Sequence, residues 1–393
     1  MGVRLGNGNW AVKTSKLLAY NDAGGMFFNK EFDFTRATTA TRVNKSGLIE
    51  SVASNLPRVD FTDDTKGHLL LEPASTNLEV NSSDLSTAFI ATTGATAAVE
   101  TGLTPFGVSG NIKRLSGATN NPPDWTDNSN ALKKQFNVTA TDPASTFTFS
   151  VYIKSAGSTT VNIQIRNNNT GVFVLSGATS LTSDWQRVSV TLAATTTTTL
   201  IGVVIAGTDG DILLSGAQFE AKEFATSLIP TSGSTVTRNA EVCNSSGAAQ
   251  DFNSTEGVLY AEIAAFRSTG VFESISISDE TSSNVIKFFT ANDENTQKVQ
   301  IISGAANQGV INGSVTDITA FNKLAIKYKN NDCDFFVNGV LAGTDTSVTT
   351  PSNLNTLSFS SGPATNNPFE GKVREVRTYK TALTDAELIA LTT

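Results

Sequence analysis

The chain has 393 residues, which at about 150 residues per domain means two or three domains and excludes a single small one. Hydrophobic residues make up 39% and charged residues only 16%, at a mean hydropathy of −0.08, so the chain can fill real cores while Ser, Thr, Asn and Gly supply its surface polarity. Lysine plus arginine is 28 against 36 acidic residues, a net charge of −8, which argues against binding nucleic acid or anionic lipid through a basic footprint.

Two cysteines, Cys243 and Cys333, cannot build a disulfide framework or a four-thiolate zinc site. Arg4, Lys13 and Lys16 are scattered through a polar N-terminus without the apolar core of a secretory signal, and no apolar run reaches the length of a spanning helix. The expectation is a protein made in a cytoplasm, without membrane insertion, that either stays there or leaves by a route that needs no signal, such as cell lysis. The one histidine, His68, has no nucleophile near it in sequence and reads as structural.

Along the chain, short alternating runs bounded by Gly, Asn, Asp, Ser and Thr predict an all-β fold. Three stretches separate. Residues 1–80 hold Phe32-Asp33-Phe34 and a hairpin around Asn44-Lys45-Ser46-Gly47, with Gly47 free to take positive φ. These short strands bury little by themselves, so the stretch is expected to pack on a partner.

In residues 81–238 the alternation becomes regular. Phe147, Phe149, Val151 and Ile153 share a face, as do Val161, Ile163 and Ile165, and then Val188, Val190 and Leu192; an apolar run Leu200 to Ala206 and the trio Ile212, Leu214 and Phe219 follow. This spacing predicts an antiparallel β-sandwich of jelly-roll type, with the Thr-rich run Ala193 to Thr199 as a solvated edge.

Residues 239–393 repeat the pattern. Leu324, Ile326 and Tyr328 oppose Lys323, Lys327 and Lys329 on one half-buried strand. Asn338-Gly339 between Phe335-Phe336-Val337 and Val340-Leu341 predicts a type I′ hairpin. Thr384 with Glu387 predicts a capping box opening a terminal helix, with Leu388, Ile389 and Leu391 as its apolar side.

The strings Lys323-Leu324-Ala325-Ile326-Lys327-Tyr328, Phe335-Phe336-Val337-Asn338-Gly339-Val340-Leu341, and Gly371-Lys372-Val373-Arg374-Glu375-Val376-Arg377 followed by Ala382-Leu383-Thr384-Asp385-Ala386-Glu387-Leu388 resemble, in this order, the concanavalin A-like, laminin G-like jelly rolls. The Trp-His pair usual before the Leu324 strand is missing. The middle stretch, with Phe149-Ser150-Val151-Tyr152-Ile153-Lys154, Asp184-Trp185-Gln186-Arg187-Val188, Gly216-Ala217-Gln218-Phe219-Glu220 and Ala225-Thr226-Ser227-Leu228-Ile229-Pro230-Thr231, is similar to carbohydrate-binding-module jelly rolls of phage structural proteins. Phe34-Thr35-Arg36-Ala37-Thr38, Ala40-Thr41-Arg42-Val43-Asn44 and Leu71-Glu72-Pro73-Ala74 are similar to virion proteins of tailed phages.

The resemblance implies a phage tail-fibre or head-fibre appendage: a virion-attachment segment (1–80), a carbohydrate-binding-module-like jelly roll (81–238) and a laminin G-like jelly roll (239–393). It implies other virion proteins and a host-surface glycan as partners, and a homotrimer. The alternatives are a passive decoration protein of capsid, collar or tail, and a polysaccharide depolymerase.

Candidate residues follow. Trp125, in the loop Pro122-Pro123-Asp124-Trp125-Thr126-Asp127-Asn128, can stack on a pyranose while Asp127 and Asn128 bond its hydroxyls. Trp185 reads as core. Trp10, in Gly6-Asn7-Gly8-Asn9-Trp10, together with Arg36 and Arg42, is the candidate virion contact. A glycosidase would need two carboxylates about 5–10 Å apart with one pKa raised. Glu262, Glu273, Asp279, Glu280, Asp293 and Glu294 form no such signature, so no enzyme is expected. Asp279, Glu280, Asp293 and Glu294 fall where laminin G-like domains hold Ca²⁺ but fit no EF-hand spacing; no other cofactor is expected.

Overall fold

The computed structural model describes residues 2–13, 16–20, 30–82, 84–85, 89–119, 122–138, 146–194, 199–267, 272–290, 294–362 and 367–393. The described fold is all-β: two antiparallel sandwiches and a terminal helix, Asp385–Thr392.

The middle sandwich is built by the alternating runs. One sheet orders the strands Thr96–Leu103, Ser109–Ser116, Ile212–Glu220, Thr146–Ser155 and Gln186–Ala193; the facing sheet orders Ile90–Ala91, Leu132–Asn137, Leu200–Gly207, Thr160–Asn167 and Phe173–Leu175. Each inward side chain the alternation selects, from Phe147 to Phe219, joins one buried cluster. Phe219 stacks between Phe136 and Phe147 at centroid distances of 4.1 and 5.6 Å. Each such ring contributes roughly 1.5–3 kcal/mol through burial. The centre of the Thr-rich run, residues 195–198, lies outside the described residues.

The other sandwich is assembled from both ends of the chain. One sheet runs Val340–Asp345, Cys333–Val337, Asn322–Lys329, Glu256–Ala265, Gly371–Tyr379, His68–Leu71 and Arg58–Asp60. The strand Gly371–Tyr379 takes two partners along one edge: Leu69 to Leu71 pair with Val373 to Gly371, and Arg4 to Gly6 pair with Arg377 to Glu375. The opposing sheet runs Ala306–Ser314, Thr296–Ser303, Val285–Phe289, Ser274–Ser278 and Thr356–Ser358. Paired Ser246 and Leu357, and the bond from Phe359 N–H to Cys243 O (3.1 Å), continue it into Val242–Asn244, Lys30–Thr35, Lys16–Ala19 and Ala11–Lys13.

The organisation by stretches is corrected at this point. Residues 1–80, expected to pack on a partner as an attachment segment, supply strands to both sheets of the C-terminal sandwich, and the middle sandwich is inserted between Leu71 and Val242. The physical reason is burial: Val3, Leu5, Leu17, Phe32, Phe34, Leu69 and Leu71 share one core with Leu259, Ile277, Phe288, Ile326 and Phe335. Short hairpins that cannot close a core find one within their own chain.

The two crossings between sandwiches are tied by buried charge. The Glu241 carboxylate accepts from Arg36 Nη1 (2.7 Å), from Arg58 Nε (2.7 Å) and Nη2 (2.5 Å), and from the Glu72 N–H (3.0 Å). Glu72 in turn meets Arg58 (2.8 Å), Arg238 (2.7 Å) and Ser227. Burial by itself raises the Glu72 pKa, but Arg238, Arg58 and the Ser227 hydrogen bonds hold it down at about 2. Five charged side chains from four sequence stretches thus pair with one another, as buried charges must.

Local signals hold where they were strongest. Asn338 and Gly339 take φ of 48° and 81°, as the type I′ turn requires. Gly47 takes 75° in the hairpin Ala40–Val43/Ile49–Val52. Thr384 and Glu387 close the capping box, and Leu388 is buried against Tyr260 and Phe336 while Ile389 stays exposed.

Candidate functional site

Trp125 lies on the outward face of the middle-sandwich sheet that holds the strand Leu200–Gly207, and the sequence explains how it is seated. In the run Leu200 to Ala206, Ile201, Val203 and Ile205 point into the core, and Gly202 leaves a bare patch on the other face. The indole fills that patch so closely that a Cβ on residue 202 would come within 2.6–2.8 Å of its Cε3, Cδ2 and Cζ3. An interior strand glycine marks such a close approach.

The loop carrying Trp125 is pinned from below. Gln164 accepts from the Trp125 N–H (2.9 Å) and donates to Pro123 O (3.0 Å). Lys133 Nζ donates to Trp125 O (2.6 Å), Asp127 O (2.5 Å) and Asn128 Oδ1 (3.1 Å), and lies 5.5 Å from the indole centroid. Burial lowers the Lys133 pKa, with Asp127 and Asp124 opposing. Asp127 accepts from the Ser129 N–H and hydroxyl (2.9 and 2.7 Å), which fixes the turn.

Beside the ring runs a shallow groove of about 580 Å³ bordered by Trp125, Asn128, Ile90, Thr93, Lys133 and Gln135. Ile90 is 75% exposed there. A half-buried aromatic ring, one apolar neighbour and amide and hydroxyl groups at the rim form a surface for a flat ligand with an apolar face and polar edges. The three residues expected to act together, Trp125, Asp127 and Asn128, therefore share one loop; Trp125 and Asn128 face the groove, and Asp127 stabilises the turn between them.

The other candidates are dispersed. Arg36, 1% exposed, donates to Glu241 and to the carbonyls of Thr38, Leu56, Val52 and Ala53, so its guanidinium is committed inside the chain. Arg42 pairs with Glu50 across the hairpin. Trp10 packs on the C-terminal core and donates from Nε1 to Lys66 O (2.9 Å). Trp185 is not in the core but half-buried at the surface, its Nε1 donating to Leu103 O (3.0 Å) and the Lys154 ammonium 4.8 Å from its ring.

Of the carboxylates weighed for hydrolysis or calcium, Asp293 lies outside the described residues. Glu262 pairs with Arg374, and Asp279 accepts from Thr281 and Asn284. No group of three or more metal-ligating side chains occurs among the described residues. Glu273 is 2% exposed and 3.1 Å from Arg267 Nη2, which is itself hydrogen-bonded to Glu370 at 2.7 Å. Burial pushes the Glu273 carboxyl up to about 8, with Arg267 offsetting only part of that cost because it is shared.

Sequence reasoning reached the Trp125 loop but missed Gly202, Lys133 and Gln164, which hold it. A lone glycine inside an otherwise apolar strand was the available signal.

Residues 264–389 match the laminin G model of the concanavalin A-like lectin/glucanases superfamily, and this part of the chain is a concanavalin A-like, laminin G-like domain. The match begins inside the strand Glu256–Ala265 and takes in none of the N-terminal strands that complete the sandwich. No curated protein matches the chain. Among solved structures it is similar to a leech intramolecular trans-sialidase (20% identity, 36% of this chain and 23% of that one, TM-score 0.31). It is also similar to the CBM40 module of a Ruminococcus gnavus sialidase (16% identity, 38% and 94%, TM-score 0.32). A third is domain 4 of a GH43 extracellular arabinanase of Geobacillus stearothermophilus (15% identity, 39% and 73%, TM-score 0.32). The chain spans under a quarter of the trans-sialidase's length.

Proposed function

We propose that the protein is a non-catalytic, glycan-binding appendage of a tailed-phage particle, with the groove beside Trp125 as its contact with host-surface glycan. The observation that carries the reading is the indole seated on Gly202 and pinned by Lys133 and Gln164, bordering a groove of about 580 Å³ rimmed by amides and hydroxyls. A rigid aromatic ring with polar neighbours is the recognition surface a pyranose calls for.

The lectin-containing superfamily matched by residues 264–389 supports the adhesive part. The tailed-phage strings around Phe34 to Asn44 and Ala225 to Thr231 support the virion part. In this reading other virion proteins anchor the chain, a homotrimer presents several shallow grooves, and linked weak contacts add up to avidity.

Glycan-array binding by the purified protein, repeated with Trp125→Ala, tests the groove: binding that the substitution reduces at least tenfold is expected, and undiminished binding would refute it. Immunogold labelling of intact particles tests the location. Label at a distal appendage, with competition for host cells, is expected; label over the capsid without competition would make the protein a passive decoration. Release of reducing sugar from host polysaccharide would make it a depolymerase.

A further inference from the structure

The two sandwiches enclose a second, deeper cleft of about 590 Å³ that the Trp125 groove does not touch. Its floor is the outward face of the eight-stranded sheet, where His68 pairs with Asp60 and Leu70 with both Arg58 and Lys372 on adjacent strands. Its opposite wall is the middle sandwich, with Tyr152, Trp185 and Arg187. Neither sandwich forms the cleft by itself, and domain junctions are where ligand sites concentrate.

Two cations of this cleft lack an ion-pair partner among the described residues. Asp60 accepts from the N–H groups of Val43 (2.7 Å) and Thr62 (2.8 Å) and lies 3.7 Å from His68 Nε2; Glu72 is taken up by Arg58, Arg238 and Ser227; Arg42 is paired with Glu50. Asp63 is exposed at the rim. Arg187 makes a hydrogen bond to the neutral Ser150 Oγ (2.9 Å) and stands over the Tyr152 ring, and among the described residues neither Arg187 nor Lys372 has a carboxylate at ion-pair distance. Asp60 and Asp63 bring an equal number of negative charges to the lining, so Arg187 and Lys372 would hold an anion by direct contact and not through a net positive field.

Buried hydrogen-bonding capacity points the same way. His68 is 1% exposed and lines the cleft; neither ring nitrogen has a hydrogen-bond partner, although Asp60 and Asp64 carboxylate oxygens stand 3.7 Å from Nε2 and Nδ1, and Arg187 Nε is likewise buried without a hydrogen-bond partner. Buried polar atoms left unpaired are costly, and here they belong to both sides of the cleft, His68 on its floor and Arg187 on the opposite wall. The Trp185 ring beside them is held in place by its bond to Leu103 O.

We propose that this cleft binds an anionic saccharide, a sugar unit carrying a carboxylate or phosphate, with Arg187 and Lys372 holding the anion, His68 hydrogen-bonding a hydroxyl, and Trp185 and Tyr152 lying along the sugar's apolar face. The guanidinium fork fits two oxygens of a planar or tetrahedral anion at once. The site is separate from the Trp125 groove, and its occupancy does not depend on that reading.

Calorimetry on the full chain tests this with four probes: glucuronate, glucose 6-phosphate, glucose and inorganic phosphate. The acidic sugars are expected to bind, with glucose and inorganic phosphate each at least tenfold weaker. Arg187→Gln and Lys372→Gln should each weaken the acidic sugars about tenfold, the loss of one charge-assisted contact, while Lys380→Gln, an exposed charge outside the cleft, leaves them unchanged. Glucose or inorganic phosphate binding as tightly as the acidic sugars, an equal loss of binding with Lys380→Gln, indifference to both cleft substitutions, or no binding at all would each overturn the proposal. Melting curves of the two cleft variants establish that they are folded, and each serves as the check on the other.

Discussion

Gly202→Ala offers the sharpest test of how the candidate site is built. The added Cβ would stand 2.6 Å from Trp125 Cε3 and 2.8 Å from Cδ2 and Cζ3, whereas carbon atoms rest about 3.5–4.0 Å apart, so the ring must lift by about 1 Å. Overpacking of this kind costs about 1–3 kcal/mol. Replacing a strand glycine by alanine returns about 0.5–1 kcal/mol of chain entropy, and Gly202 has no positive φ that would oppose it. The expected net effect is a loss of about 0–2.5 kcal/mol in the wild type and a gain of about 0.5–1 kcal/mol in Trp125→Ala, where nothing is left to clash. Urea denaturation of the four proteins of this double-mutant cycle measures the coupling, and glycan binding by Gly202→Ala should fall with the displaced ring. An equal cost of Gly202→Ala in both backgrounds would refute the argument that glycine is there to seat the indole.

Glu241→Gln should destabilise by about 3–5 kcal/mol in denaturant unfolding, because it leaves the buried guanidinium groups of Arg36 and Arg58 short of their shared anion; a loss under about 1 kcal/mol would show that the junction is held by packing instead. The Glu273 carboxyl, raised by burial to about 8, makes the folded state bind a proton that the unfolded state releases near the usual glutamate value. Its stabilisation is in full below that value and declines as pH rises toward 8. Glu273→Gln should flatten this part of the pH–stability curve, and an unchanged slope in thermal melts across that range would remove the assignment. Residues 81–238 expressed alone should give a cooperative unfolding transition, because their core closes on itself, whereas 239–393 alone should not. Restoring 1–80 in trans should recover the second transition, and a cooperative 239–393 fragment would contradict the shared core.

Much of the local structure was legible in the chain. The period-two runs from Phe147 to Phe219 named the inward face of the middle sandwich residue by residue, since a strand with one buried face must alternate. Asn338-Gly339 and Thr384 with Glu387 fixed a turn and a helix start because each satisfies its own backbone within a few residues. The Trp125 loop was found for a similar reason: an aromatic ring among Pro, Asp and Asn is unusual where it stands.

What lay beyond sequence reading was long-range partnership. Backbone hydrogen bonding between strands is nearly blind to side-chain identity, so no motif says that Leu5 pairs with Val376 or that the first strands close a sandwich at the other end of the chain. Gly202 lies far from Trp125 in sequence, and Arg187 and Lys372 belong to different sandwiches; only folding brings each set together. The sequence by itself therefore determined the all-β class, the inward faces and the exposed tryptophan loop, all consequences of local periodicity and turn chemistry. The tertiary structure decided that the N-terminal strands belong to the C-terminal core and that a charged cleft lies between the sandwiches, because burial is settled by the most favourable packing of the whole chain and not by proximity along it.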